Sequence, residues 1–158
     1  MALADILTRI RSQVAGAAGV SAAQAHIGVR WADDESTFRA LFRDAGNNRL
    51  HGWMVTRRST DEEIEGLRNL TRRHHRFEII GLYSVDDSGA GTTMPSESEF
   101  NLVVEAVMTA LRTDITLDGA AENSGPPDLV AFEHRVVRGV LCHYATIELE
   151  ATERVTYA

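Results

Sequence analysis

Six histidines, one cysteine and the acid pair Asp86-Asp87 are the first candidates in this 158-residue chain to ligate a metal, carry a proton or attack a substrate. His74 and His75 are neighbours. On a strand adjacent side chains point to opposite faces, so the two cannot hold one ion without distortion. His134 and His143 flank Arg138-Gly139 on segments that read as paired strands, and they can approach each other. No Asp or Glu stands beside them at metal-ligand spacing, and neither HExxH nor a zinc knuckle occurs. They read as structural or surface histidines. Cys142-His143 fails as a nucleophile and base for the same alternation reason, and Cys142 reads as a small buried hydrophobe. Asp86-Asp87 at a strand end could do acid–base or metal work, but consecutive acids opening a Gly/Ser-rich loop read more simply as solvated turn residues. Gly89-Ala90-Gly91 lacks the Lys and Ser/Thr of a phosphate loop. No GxSxG, HRD or DxDxDG motif is present. The chain reads as a binding or assembly protein, not an enzyme, with no cofactor and no metal.

All sixteen basic residues are arginine. Arg57, Arg58, Arg68, Arg72, Arg73 and Arg76 form the one basic cluster, diluted by Asp61, Glu62, Glu63 and Glu65. That favours intersubunit or i,i+4 ion pairs over a grip on nucleic acid. Residues 1–76 hold twelve Arg against nine acids (+3), and residues 77–158 hold four against fourteen (−10), which together give the net −7. A phosphate-gripping protein needs the opposite total. The split suits a subunit that shows one sign to a neighbour and the other elsewhere.

The length and the 44% apolar content fit one domain with its own core, and exclude disordered, collagen-like and disulfide-scaffold classes. A lone cysteine rules out an intramolecular disulfide or a CxxC site. No apolar run nears the ~20 residues of a membrane span, and residues 1–20 read as an amphipathic helix, so a reducing cytoplasm is the economical location.

These groups must be positioned by a definite set of elements. Leu3, Ile6, Leu7, Ile10 and Val14 share a helical face, opposite Asp5, Arg9 and Arg11, with Gly16 and Gly19 as the stop. A short strand over 26–31 follows. Residues 33–46 favour a helix, with Phe38, Leu41, Phe42 and Ala45 on one face; an irregular insertion is the alternative. Residues 50–56 alternate as a strand weakened by Gly52. Thr60 and Glu63 form a capping box that opens a short helix carrying Ile64, Leu67 and Leu70. Residues 72–85 are apolar on both faces and predict a central strand. Residues 86–95 are a loop. Ser96 and Glu99 cap a helix running to about Arg112, with Phe100, Val103, Val104, Val107 and Leu111 inward. Residues 118–128 are a second polar loop, and 129–137 and 140–155 form a hairpin about Arg138-Gly139. The sum is an α+β domain: a mixed, mostly antiparallel sheet with helices packed on one face and a C-terminal β-hairpin.

The strings RRHHRFEIIGLYSVDDSGA, SESEFNLVVEAVMTAL, LDG before a Gly/Pro loop, and RGVLCHYATIELEATERV resemble the tail terminator (tail completion) proteins of long-tailed bacteriophages and prophages. The match covers about residues 50–157; the N-terminal helix also fits, and residues 20–48 have no clear counterpart. The resemblance implies a homo-hexameric ring in the virion, at the tail and neck, assembled in the cytoplasm of the host bacterium. Such a ring caps the tail tube protein, stops tube growth, offers a surface to a head-completion or neck protein, and lets genomic DNA pass without specific binding. No membrane is involved. Arg57, Arg58, Arg72, Arg73, Arg76, Asp86, Asp87, Glu97, Asp118 and Glu122 are then candidate intersubunit or partner contacts. The long polar loops would order on docking. Another neck protein that joins head to tail, a small metal-dependent enzyme and a nucleic-acid-binding regulator are the competing readings.

Overall fold

A strand apolar on both faces needs cover above, below and on each side. Leu70–Ser84 (β3) buries Phe77, Ile79 and Tyr83 on one face and Ile80 and Leu82 on the other. In the computed structural model, which describes residues 3–30, 32–44, 46, 49–66, 69–85 and 95–157, it lies at the middle of the sheet. His51–Glu65 (β2) and Val140–Thr156 (β6) flank it, both antiparallel. Ala25–Ile27 (β1) pairs parallel outside β2, while Asn123–Ser124 (β4) and Asp128–Val137 (β5) share the outer side of β6. The expected C-terminal hairpin is β5–β6. Its turn residues Arg138 (φ 50°) and Gly139 (φ 80°) both take the left-handed backbone of a type I′ turn, whose twist matches the strands it joins.

The two long helices lie on one face, as the α+β reading requires. Leu3–Ala15 (α1) contributes Ile6, Ile10 and Val14, and Pro95–Thr113 (α3) contributes Phe100, Val104, Val107 and Leu111. They meet Trp53, Val55, Phe77, Ile79, Ala145, Ile147 and Leu149. The short helix Glu35–Phe42 (α2) instead closes the opposite face, where Phe38 and Phe42 join Met54, Ile80, Leu82 and Cys142. Asp34 caps α2, its Oδ1 accepting from the Thr37 amide at 2.8 Å. The glycine that weakened the 50–56 strand has a reason: a Cβ on Gly52 would lie 2.1 Å from Phe42 Cδ1. Gly81 likewise makes the seat for the Trp53 indole, whose nearest atom would be 2.7 Å from an added Cβ.

Three expectations are corrected. The helix drawn over 60–70 is strand, turn and strand: β2 runs unbroken to Glu65 and β3 restarts at Leu70. Thr60 turns its hydroxyl to His75 Nδ1 at 2.8 Å instead of capping, and Glu62 and Glu65 face Arg73 and Arg72. Complementary charge across the hairpin overrides a local capping signal. Second, Ser96 lies inside the first turn of a helix that opens on Pro95, and its Oγ sits 2.9 Å from His143 Nε2. Glu99 accepts from the Tyr83 hydroxyl at 2.9 Å. Third, the 118–128 segment carries the short strand β4, and Ala120 and Ala121 are buried in the helix-side core next to Leu117. The short strand at 26–31 is trimmed to Ala25–Ile27. Asp86, Asp87 and Arg68, with most of the 86–95 loop, lie outside the described residues.

Candidate functional site

Toward the end of β2 at Glu65 and the start of β3 at Leu70 the sheet changes character. β2 and β3 are fifteen residues each, long enough to reach about 50 Å, and their outer halves carry charge where the inner halves carry Trp, Phe and Ile. Arg72 lies 2.7 Å from Glu65 and 3.5 Å from Glu122, and Arg154 meets the same two carboxylates at 3.3 and 3.2 Å. Two guanidinium forks and two carboxylates thus close a four-membered network on one face. Arg76 pairs with Glu150 at 2.9 Å, and Arg58 with Glu78 at 3.2 Å. Arg57 reaches Thr60 Oγ1 at 3.5 Å. On the other face Arg73 binds Glu62 at 2.6 Å and the Tyr157 hydroxyl, and stands 3.6 Å from Glu153. Glu153 is fully buried, with His75 Nε2 3.0 Å from its Oε1.

Arg58, Arg72, Arg73 and Arg76 of the cluster therefore pair across strands within the chain. The i,i+4 pairing expected of it fails because its backbone is β. The charge split is also partly neutralised inside the chain: Arg9–Asp118 (2.6 Å), Arg49–Glu99 (3.6 Å), Arg72–Glu122, Arg73–Glu153 and Arg76–Glu150 each join the basic first half to the acidic second. His74 and His75 do point to opposite faces: His74 stands near Glu63 and Thr152, His75 near Thr60 and Glu153.

Among the described residues no strand covers the outer side of β1 or of β5. Each of these edges shows apolar side chains to solvent: Ile27 and Val29 at β1, Val130 and Val136 at β5, with Val136 70% exposed. The two edges are unlike. One is a three-residue parallel strand, the other a ten-residue antiparallel strand.

Two polar clusters stand apart from the ribbon. His51, fully within the core, accepts from Trp53 Nε1 at 2.9 Å, and burial holds its pKa down to about 4. Beside it, burial and the Glu99 hydrogen bond push Tyr83 up to about 12, with the Arg49 guanidinium over its ring. His51, Tyr83, Glu99 and Arg49 line an open depression together with Asp44 and Val103. The second cluster corrects a sequence expectation. His134 and His143 are directly opposed in the β5–β6 register, and the missing carboxylate is Glu97, from the first turn of α3. One ligand atom from each of the three lies within 4.8 Å of the others. No spacing rule could reveal it, because 37 positions and a change of element type separate Glu97 from His134. Cys142 points away into the opposite core, where burial raises its thiol to about 11 and removes it as a nucleophile.

No protein-family model matches the chain, and no curated protein matches it. No described helix is long and apolar enough to cross a membrane.

Proposed function

We propose that the chain is a structural subunit that assembles head-to-tail into a closed ring, in the manner of the phage tail terminators its sequence resembles. The observation that carries this reading is the pair of unlike, uncovered, apolar-edged strands at the two ends of one sheet. An uncovered edge is a template for strand addition. Two identical edges would favour a closed dimer, whereas unlike edges that complement each other generate a heterologous contact, which closes into a ring when the rotation per subunit allows it. The β2–β3 ribbon adds a charged surface on which the Arg76–Glu150 pair is exposed at both ends. An exposed pair is worth only about 0–1 kcal/mol, so its partners can be exchanged for those of a neighbour at little cost. On this reading the ring is a hexamer at the virion neck. It ends the tail tube and meets the head-completion protein, and the acidic total charge lets DNA slide through without adhering. Its task is geometry, with no bond made or broken.

Light scattering and electron microscopy of the purified chain, with and without tail tube protein, test this. A hexameric ring, alone or on contact with tubes, supports it; a stable dimer indifferent to tubes overturns it. Deleting the gene discriminates within the virion: overlong tubes mark a terminator, and normal-length free tails mark a head-joining protein.

A further inference from the structure

We infer that Glu97, His134 and His143 form a binding site for a divalent transition ion of the zinc class, fastening the β5–β6 hairpin to the start of α3. Two imidazoles and one carboxylate are the donor set such ions prefer, and three protein ligands leave a position for water. The three ligand atoms already lie within 4.8 Å of one another. Tetrahedral coordination at roughly 2.0–2.1 Å needs them about 3.3 Å apart. His134 and Glu97 are 42% and 44% exposed, so side-chain rotation can supply the remaining contraction without moving backbone.

His143 provides an independent observation. It is fully buried, stacked near Phe100 and Phe132, with Nε2 taken by Ser96 and Nδ1 without any hydrogen-bond partner. A buried polar atom left alone is costly. A metal-bound histidine uses one nitrogen for the ion and gives the other to a hydrogen bond that fixes the ring. His143 has the same division available to it: Ser96 occupies Nε2 and leaves Nδ1 without a partner. The site is distinct from the ion-pair ribbon and does not depend on the ring assembly.

Calorimetric titration of the metal-free chain with zinc chloride and cobalt chloride tests the site, with His134→Ala, Glu97→Gln and, as a control on the distal ribbon, His74→Ala. Circular dichroism confirms that each variant folds; His134 and Glu97 are exposed enough to be replaced without a core defect. One ion per chain is expected, with ligand-field absorption from cobalt that marks nitrogen coordination, and with affinity falling at least tenfold in the first two variants and unchanged in the third. Absence of binding overturns the inference. So does binding that survives both His134→Ala and Glu97→Gln, or magnesium binding as tightly as zinc.

Discussion

β3 and β6 run through two different environments, and the contrast between them separates what makes the fold stable from what makes it specific. Under α1 and α3 they carry Phe77, Ile79 and Tyr83 beside Ala145, Ile147 and Leu149, all buried. Toward the start of β3 and the end of β6 the same strands carry Arg72, Arg73, His74 and Arg76 beside Glu150, Thr152, Glu153 and Arg154. Apolar burial is non-directional and supplies most of the driving force. Ion pairs contribute little each, but they penalise a slipped register, since a one-residue shift flips every side chain to the other face. The inner half therefore supplies stability, and the outer half supplies register.

The sharpest way to break that division is to cut the inner half. Phe100 sits among Trp53, Tyr83, Phe132 and His143, with ring centroids 5.4–6.2 Å away. Phe100→Ala leaves a cavity there and should cost about 3–5 kcal/mol in urea denaturation. A loss under 1 kcal/mol would mean the core lies elsewhere.

Acid attacks the same half through His51. Its folded pKa of about 4 lies below the ordinary 6.5, so the unfolded chain takes up the proton first as pH falls. Stability is fully present above pH 6.5 and declines toward pH 4, by about 3 kcal/mol at the limit. The lowered pKa of His143 acts in the same direction. Urea midpoints at pH 7.5 and 4.5 should show this loss, and His51→Gln should have a lower midpoint with a flatter pH dependence. An equal slope in the variant would remove His51 as the cause.

Gly52→Ala probes the reverse face. The added methyl would drive into Phe42, only 2.1 Å from the built position, and should cost about 1–3 kcal/mol through overpacking. It is a smaller effect because α2, a two-turn helix held by Asp34, can shift.

These two halves also differ in how much of them the sequence discloses. The inner half was legible because periodicity reports burial: the α1 and α3 stripes, the two-faced apolar run of β3 and the Arg138-Gly139 turn each reflect a local requirement. The outer half was not. Thr60 and Glu63 satisfy a helix-start pattern, and only their pairing with His75 and Arg72 across the hairpin, a long-range fact, makes them strand. The Glu97–His134–His143 cluster was half legible: alternation opposed the two histidines, but the face of α3 that meets them depends on tertiary packing. Of the proposed contact residues, Arg58, Arg72, Arg73, Arg76, Glu122 and Asp118 carry ion pairs within the chain.

The last prediction has the smallest effect on the fold and the most to say about the surface. Arg76 and Glu150 are 60% and 66% exposed and pair across β3 and β6. Removing one by Arg76→Gln should shift stability by no more than about 0.5 kcal/mol, because solvent screens the pair and both side chains regain rotamer freedom. If the outer half presents exchangeable partners to a neighbouring subunit, charge reversal by Arg76→Glu, which sets a second carboxylate opposite Glu150, should abolish assembly while the urea midpoint of the isolated subunit barely moves. Glu150→Arg in the same chain should restore the internal pair and, with it, assembly. Light scattering alongside the urea titration separates the outcomes. Assembly lost with the midpoint unchanged assigns the ribbon to the interface; midpoint and assembly falling together would show that the ribbon stabilises the subunit itself, and the division between the two halves would collapse.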